Sequence, residues 1–359
     1  MSGVVVGLSG GVDSAVAALV LCQAGHEVRG ATLELWPGDG ERSCCSPAAT
    51  RRALAVAGHL RIPHDVVDEQ RGFATAVVNP FVASYLGGET PNPCVDCNPW
   101  RLARLVALAE AAGAAHVATG HYARLVRRAG RLALARGADR SKDQSYMLWR
   151  VTEPVLERLL LPLGESTKEE VRARARRAGL PVAAAPESQE VCFAPGGYRA
   201  FLAACGVDGA EGEIVDRDGR LLGRHRGVWN YTVGQRRGLG VAGRDPLYVL
   251  GVDAAAARVV VGARAELEVD EVEVRGLVDR GLDDGEGLEV QLRYRAGAVG
   301  VRRLRRLPAD RARLELTEPF AGPAPGQAAV FYRDDEVVGG AVVASSPLGR
   351  VKALGRSRV

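Results

Sequence analysis

The first half of the chain alternates short apolar runs with segments whose apolar residues recur every three or four positions. Residues 4–6 are three consecutive valines, a run typical of a strand, and Val16, Leu19 and Val20 follow at helical spacing. Further strands are predicted at residues 27–33, 62–67 and 116–119, and further helices at residues 46–58, 73–86, 102–109 and 167–179. Ser46 is the predicted cap of the first of these helices, and Thr167 with Glu170 forms a predicted capping box at the start of the last. This order predicts an α/β doubly wound parallel sheet with its ligand at the carboxyl ends of the strands.

The pattern changes after about Gly206. Helical periodicity disappears, glycines recur, and short alternating runs dominate, at residues 212–215, 247–252, 258–261, 288–292 and 328–332. Such runs predict a small β domain followed by a C-terminal β-barrel. We therefore predict three domains, at residues 1–205, 206–267 and 268–359.

The turn between the first strand and the first helix is the most informative stretch. It consists of eight consecutive residues, Gly7, Leu8, Ser9, Gly10, Gly11, Val12, Asp13 and Ser14. Paired glycines allow a sharp turn and close approach of a ligand, and the N-terminus of the following helix favours an anion, so we predict a bound phosphate. The lysine of the Walker loop and the three-glycine spacing of the dinucleotide fingerprint are both missing.

This Ser-Gly-Gly-x-Asp-Ser turn resembles the pyrophosphate loop of ATP pyrophosphatases, which split ATP between the α and β phosphates and adenylate a substrate. A tight turn without a ligand is the structural alternative. The carboxylate of Asp13 is a hard oxygen donor of the kind that suits Mg²⁺.

Composition narrows the class of protein. With 359 residues, 47% hydrophobic and 25% charged, the chain has the composition of a globular protein of two or three domains. The first residues form a strand and not a signal peptide, and no apolar run approaches the length of a membrane span, so we expect a cytoplasmic protein without a membrane partner. There, seven cysteines favour reactive, metal-bound or buried thiols over a disulfide framework.

The net charge of +4 is unevenly distributed. Eight arginines lie between residues 293 and 313, and four more lie in the predicted helix at residues 172–177. Such patches suit a polyanion such as RNA, but solvated faces in an arginine-rich chain would look the same.

Two cysteines lie in polar segments far apart in the sequence. Cys97 follows two prolines in residues 90–98, which predict a stiff and irregular stretch, and Cys192 lies in the polar, non-helical residues 187–193. Thiolates are the nucleophiles of exchange chemistry. A nucleotide loop together with separated reactive cysteines predicts sulfur delivery to an adenylated substrate.

Motifs along essentially the whole chain resemble those of bacterial tRNA-specific 2-thiouridylases. They are GLSGGVDS (7–14), TPNPCVDCN (90–98), ATGHYAR (118–124), KDQSYML (142–148), ESQEVCF (187–193), YTVGQRRGLG (231–240), RYR (293–295) and PGQAAVFY (325–332). The resemblance implies an adenine nucleotide α hydrolase-like catalytic domain. It also implies ATP-dependent 2-thiolation of the wobble uridine of tRNA, by adenylation of the uracil C2 oxygen and sulfur transfer from a cysteine persulfide.

The resemblance also implies residue roles. ATP and Mg²⁺ would be bound by the loop at residues 7–14, with Leu33 and Gly120, and Asp13 would act in catalysis. Cys192 would receive sulfur from a cysteine desulfurase or sulfur-relay protein, Cys97 would be the second catalytic cysteine, and the two would form a disulfide in each turnover. The residues implied in tRNA contact are Asn92, Pro93, Cys94, Lys142, Asp143, Gln144, Arg293 and Tyr294. A monomer is expected, although the sequence does not fix the oligomeric state.

Cys94 departs from the family, in which this position is often an aspartate. Here it forms a Cys94-x-x-Cys97 pair, with Cys192 as a third thiolate. Three thiolates that leave one iron open would suit a [4Fe–4S] cluster, so a cluster that binds sulfide is the alternative to persulfide chemistry.

Two other functions compete with thiolation. One is another pyrophosphatase-loop ligase, such as a lysidine-forming or amidating enzyme, which the cysteine pair argues against. The other is a regulator that binds a nucleotide or a cluster and RNA without turnover, which would bind ATP and tRNA without releasing AMP.

Overall fold

The computed structural model describes residues 2–37, 46–128, 130–186, 191–241, 243, 245–283, 286–344, 346 and 348. The chain divides into two compact units. The first consists of Met1–Asn79, Pro93–Phe201 and Asp335–Val337, and the second of Pro80–Asn92, Leu202–Asp334 and Val338–Val359. No helix in the described ranges is long and apolar enough to cross a membrane.

The first unit is built on a five-stranded parallel sheet. Its strands are β1 (Gly3–Gly7), β2 (Glu27–Glu34), β3 (His64–Asp68), β4 (His116–Ala118) and β7 (Leu159–Leu160), in the order β3-β2-β1-β4-β7. The order reverses at β1, which is flanked by β2 and β4, and such a reversal opens a crevice at the carboxyl ends of the strands. An antiparallel hairpin, β5 (Ala123–Arg128) and β6 (Arg131–Arg136), follows β4.

Helices connect these strands. Their bounds are α1 (Val12–Gln23), α2 (Pro47–Leu60), α3 (Gln70–Phe73), α4 (Asn79–Leu86), α5 (Pro93–Ala111), α6 (Glu153–Arg158), α7 (Lys168–Arg177) and α8 (Tyr198–Ala204). Short helical turns of other types lie at Ala74–Val78 (π) and Ser145–Met147 (3₁₀). The Ser46 side chain caps α2, and Thr167 with Glu170 forms the predicted capping box of α7.

Two all-β assemblies make up most of the second unit. The first is a four-stranded sheet of β8 (Glu211–Val215), β9 (Leu221–Arg226), β10 (Tyr248–Asp253) and β11 (Arg258–Gly262), in the order β10-β11-β8-β9. The second is a barrel of β12 (Glu268–Asp279), β13 (Leu288–Gln291), β14 (Val299–Leu307), β15 (Arg311–Ala321), β16 (Ala328–Arg333) and β17 (Glu336–Val343). Pairing of β12 with β17 closes the barrel. The first half of β15 alternates buried and half-buried or exposed residues, whereas β16 and β17 are buried almost throughout. The side chains of Val272, Val290, Leu314 and Phe331 are fully buried in the barrel core. The predicted fold class is thus confirmed.

Candidate functional site

A cavity lies where the sheet order reverses, at the carboxyl ends of β1, β2 and β4. The segments that follow these three strands supply most of its wall. The lining residues are Gly7, Leu8, Ser9, Asp13, Ser14, Ala31, Leu33, Leu35, Arg101, Leu105, Thr119, Gly120, His121 and Gln144. A doubly wound sheet binds its ligand at this position.

The loop after β1 presents a helix N-terminus to the cavity. Gly11 is the N-cap of α1, and no side chain caps the helix there, so the first backbone N–H groups are available to an anion. The hydroxyl of Ser14 holds the loop closed, because it accepts a hydrogen bond from Ser9 N at 3.2 Å and donates one to Gly11 O at 3.1 Å. Gly10 has a φ of 69°, a conformation that favours glycine.

Gly120 is required for the close approach of two loops. A Cβ atom at this position would lie 2.5 Å from the carbonyl carbon of Asp13 and 2.6 Å from Ser14 N. The turn after β4 therefore packs directly against the loop after β1.

Asp13 is bound by two residues from distant parts of the chain. Lys168 Nζ lies 2.7 and 2.8 Å from its two carboxylate oxygens, and Tyr122 donates its hydroxyl to Oδ1 at 2.8 Å. Lys168 is the first residue of α7, and its side chain is only 12% exposed. A lysine thus stands beside the loop, although the loop itself lacks the lysine of a Walker motif.

Sequence reasoning missed Lys168. The signal was the capping box of Thr167 and Glu170, which correctly starts α7 at the lysine. What the spacing could not show is that α7 packs on α1, 155 residues away.

The lining of the cavity also includes apolar side chains and a buried histidine. Leu33 and Leu35 are almost completely buried. His121 is 8% exposed and its Nδ1 lies 2.8 Å from Thr119 Oγ1. Burial, and secondarily the nearby charge of Arg101, lowers the pKa of His121 to about 3, so the imidazole is neutral at physiological pH.

The structure gathers the residues predicted to bind ATP. Seven of them line the cavity, namely Gly7, Leu8, Ser9, Asp13, Ser14, Leu33 and Gly120. Gly10, Gly11 and Val12 belong to the same loop and helix start. Apolar lining residues together with an uncapped helix N-terminus suit a nucleotide, whose base is apolar on its faces and whose phosphates are anionic.

The predicted irregular stretch around Cys97 is wrong from Pro93 onward. Pro93 is the first residue of α5, so Cys94 and Cys97 lie on the first turns of a 19-residue helix. Proline is favoured at this position because the missing N–H would have no helical partner. Cys94 is exposed, Cys97 is half-buried, and both are thiols.

One aromatic ring anchors both cysteine segments. Phe73 is fully buried, and its ring centroid lies 5.9 Å from that of Trp100, one turn after Cys97 on α5. The same ring lies 5.7 Å from that of Phe193, the residue after Cys192. Cys192 is a half-buried thiol in a turn, and its preceding residues 187–190 lie outside the described ranges. Aromatic pairs of this kind stabilise a fold beyond the burial of their surface, so Phe73 holds the two segments in one region.

The three thiols proposed as cluster ligands do not form a metal site in this arrangement. Among the described residues, which include Cys94, Cys97 and Cys192, no three cysteine, histidine or carboxylate side chains are grouped so that they could hold a metal ion. The residues therefore do not fit a [4Fe–4S] cluster as they stand here.

The residues predicted to contact tRNA fall into three places. Gln144 lines the cavity and accepts a hydrogen bond from Tyr122 N at 3.0 Å, and Lys142 precedes it by two residues. Asp143 is turned inward, where it accepts hydrogen bonds from Gly137 N and Ser145 N at 3.0 Å each. Its carboxylate therefore organises its own loop.

The remaining predicted tRNA contacts lie at the boundary of the units and in the second unit. Asn92 is the last residue of a second-unit segment, and Pro93 and Cys94 begin the next segment of the first. Arg293 is exposed and donates to Gly322 O at 2.7 Å, and the guanidinium of Arg295 lies 5.3 Å from the ring centroid of Tyr294.

Comparison with known proteins gives matches along the chain. The tRNA methyl transferase HUP domain family matches residues 2–196, the tRNA methyl transferase PRC-barrel domain family residues 199–263, and the aminomethyltransferase β-barrel domain family residues 277–343. The tRNA-specific 2-thiouridylase MnmA of Sorangium cellulosum is 47% identical over 99% of this chain and 93% of its own. That of Syntrophotalea carbinolica is 45% identical over 95% of this chain and 98% of its own.

The chain belongs to the tRNA-specific 2-thiouridylase family. Another member of the family that it resembles, from Rubrobacter xylanophilus, is a bifunctional NifU/MnmA protein, 47% identical over 95% of this chain and 70% of its own. Among solved structures, the U34-tRNA thiolase NcsA of Methanococcus maripaludis with its [4Fe–4S] cluster is similar over 56% of this chain and 63% of its own. The identity there is 18% and the TM-score 0.37.

Proposed function

We propose that this 2-thiouridylase family member adenylates the C2 oxygen of the wobble uridine of tRNA and replaces that oxygen with sulfur carried by its cysteines. The observation that carries the proposal is the combination of the cavity beside the loop at residues 7–14 with two cysteine segments anchored on Phe73 in the same unit. Because tRNA is the substrate, we place the activity in the cytoplasm.

The loop at residues 7–14 would bind the phosphates of ATP. The uncapped N-terminus of α1 offers N–H groups, and Lys168 offers a positive charge that now neutralises Asp13. When ATP enters, the lysine exchanges the carboxylate for a phosphate oxygen. The released Asp13 carboxylate is the residue that would hold Mg²⁺, and one carboxylate together with substrate phosphates is a usual ligand set for that ion. Bound there, Mg²⁺ supplies neutralisation of the phosphate charge.

Adenylation makes the uracil oxygen a leaving group. The C2 oxygen attacks the α phosphorus, the bond between the α phosphorus and the bridging oxygen breaks, and pyrophosphate leaves from the helix N-terminus. The side chains of Leu33, Leu35 and the neutral imidazole of His121 form a wall of low polarity, which strengthens the electrostatic contacts made to the phosphates.

Sulfur transfer then uses both cysteines. Cys192, loaded as a persulfide by a cysteine desulfurase or sulfur-relay protein, attacks C2 with its terminal sulfur, and AMP leaves. The thiolate of Cys97 attacks the Cys192 sulfur, which releases the 2-thiouridine and forms a Cys97–Cys192 disulfide. Alternatively, Cys97 first releases sulfide from the persulfide, and the sulfide attacks C2. In both routes a dithiol reductant restores the two thiols.

The test is incubation of the protein with ATP, tRNA and a persulfide donor, followed by quantification of AMP and 2-thiouridine. We expect Cys97→Ser and Cys192→Ser to lower thiolation about 10³-fold while tRNA binding is retained. Cys205→Ser is the matched control, since Cys205 is an exposed cysteine of the second unit. Unchanged thiolation in both catalytic variants would refute the cysteine roles.

Two results would favour the alternatives to persulfide-based thiolation. Binding of ATP and tRNA without AMP release would indicate a regulator without turnover. Stoichiometric iron and sulfide after anaerobic purification, lost in Cys94→Ser, would indicate the cluster in place of the persulfide.

A further inference from the structure

The segment that precedes the cysteine helix is fixed to the β part of the molecule. Residues 80–92 belong to the second unit, although α5 begins at the next residue in the first. Within the second unit, the backbone of Thr90 makes two hydrogen bonds. Its N–H donates to Pro325 O at 2.7 Å, and its carbonyl accepts from Gln327 Nε2 at 2.5 Å.

The neighbouring residue adds an ion pair of defined geometry. Arg275, on β12 of the barrel, donates from both terminal nitrogens to the two carboxylate oxygens of Glu89, at 2.8 Å each. Such a bidentate pair fixes orientation as well as distance. In addition, Thr90 donates its hydroxyl to Thr232 Oγ1 at 3.3 Å, at the start of the YTVGQRRGLG loop.

Gly326 packs closely against Glu89 and Thr90 and leaves no room for a side chain at its own position. Gly326 has a φ of 90°, and a Cβ atom at this position would lie 3.0 Å from both Glu89 Cβ and Thr90 N. The turn that joins β15 to β16 therefore packs directly against residues 89 and 90.

From Thr90 the chain reaches the cysteines through a stiff connection. Pro91 and Pro93 have fixed φ angles, and each proline restricts the residue before it to extended conformations. Pro93 starts α5, which carries Cys94 and Cys97. Few rotatable bonds therefore separate Thr90, which its hydrogen bonds hold in place, from the first turn of α5.

We propose that residues 89–92 act as a positioning strap for the cysteine helix, and that Arg275 is a positioning residue for thiolation. Arg275 holds Glu89, and the turn at 325–327 holds Thr90. The two prolines then restrict the backbone between Thr90 and the two cysteines of α5. Arg275 thus acts on the reaction through the strap without touching the reacting atoms. The kinetic part of this inference rests on the proposed function.

The first test compares Arg275→Gln and Glu89→Gln with the wild-type protein. We expect single-turnover thiolation to slow about 10-fold, because small displacements of reacting groups are costly, while the affinity for tRNA stays within about twofold. Arg333→Gln is the matched control. Arg333, on β16, also donates from both terminal nitrogens to the two carboxylate oxygens of one residue, Asp283, and its loss is expected to leave the rate unchanged. The charge swap Glu89→Arg with Arg275→Glu should restore most of the rate.

The second test does not depend on activity. The rate at which iodoacetamide alkylates the half-buried Cys97, followed by mass spectrometry of the tryptic peptide, should rise several-fold in both single variants and fall again in the swap. If the wild-type protein does not thiolate tRNA, the proposed function fails, but the alkylation result still decides on the strap. Unchanged alkylation and thiolation in both single variants would overturn the inference. A loss of tRNA affinity equal to the loss of rate would also overturn it, because Arg275 would then contact tRNA directly.

Discussion

The outer face of the strands β14 and β15 and the surroundings of the loop at residues 7–14 both carry cations, but the cations are paired in different ways. On the barrel, Arg311 and Arg313 both bind Glu273, at 2.6 and 2.7 Å. Arg303 and Arg306 also have carboxylate partners, Glu315 and Asp279. Beside the loop, a single lysine faces a single carboxylate at the edge of a cavity.

The difference shows that a count of arginines does not measure electrostatic potential. Of the eight arginines at residues 293–313, four are paired with carboxylates within the barrel. Among the described residues no ion pair is recorded for the other four, Arg293, Arg295, Arg302 and Arg305. The predicted attraction for tRNA therefore rests on half of the run. At the loop, one partly exposed ion pair lies beside the cavity, where we propose that an incoming phosphate replaces the carboxylate.

The largest effect is expected from removal of the lysine. Lys168→Met should lower kcat/KM for ATP about 10²–10³-fold in tRNA-dependent pyrophosphate release, because a preorganised charge at the phosphates is lost. Lys168→Arg should recover part of the activity. Arg174→Met, on the exposed face of the same helix, is the control and should have no effect. An equal loss in Arg174→Met would indicate that α7 matters only for folding.

The next effect is a pH dependence of stability that comes from His121. Its pKa in the folded protein is about 3, below the ordinary value, so the stability that the neutral ring contributes is present above pH 6.5 and lost as pH falls towards 3. Between pH 7.5 and 5.5 the free energy of unfolding should fall by about 1.4 kcal/mol from this group alone.

Urea unfolding at the two pH values measures this loss. His121→Gln should remove about that much of the pH dependence, while His64 and His225, whose pKa values burial also lowers, keep their share. An unchanged slope in His121→Gln would contradict the assignment.

A smaller effect should follow from loss of the cap that places Lys168. Thr167→Ala removes the hydrogen bond from Glu170 N to the threonine hydroxyl and should cost about 1 kcal/mol of unfolding free energy. The KM for ATP should rise about threefold, because the first turn of α7 frays. The control is Thr152→Ala at the start of α6, where the threonine side chain makes no capping hydrogen bond. Equal destabilisation by the two substitutions would argue against the cap.

The parts of this molecule that the sequence predicts well are those determined by local physics. The strand–loop–helix at residues 3–23, the caps at Ser46 and Thr167, and the change to β structure after Gly206 depend on neighbours in the chain, and the structure agrees with each. The failure at residues 93–98 is also local, since a proline can begin a helix as easily as it can prevent one.

The contacts that complete the site join residues far apart in the sequence, and no local sequence pattern predicted them. Lys168 reaches Asp13 across 155 residues, and Phe73 contacts Phe193 across 120 residues. The pairing of Arg313 with Glu273 depends on the register of two strands 40 residues apart. Each of these depends on tertiary packing, which spacing within one segment cannot reveal.

The smallest effect is a difference in tRNA affinity between variants of two barrel arginines, one with a carboxylate partner and one without such a partner among the described residues. Arg305 and Arg313 are directly opposite each other on β14 and β15, and only Arg313 has a carboxylate partner among the described residues. If this face meets the tRNA backbone, Arg305→Gln should weaken tRNA binding about twofold and lower the slope of log Kd against log salt by up to about 1. Arg313→Gln should change the slope by less than half as much, because that charge is already neutralised by Glu273. Fluorescence anisotropy across a salt series measures both slopes. Equal slopes for the two variants would show that the ion pair with Glu273 opens when tRNA binds.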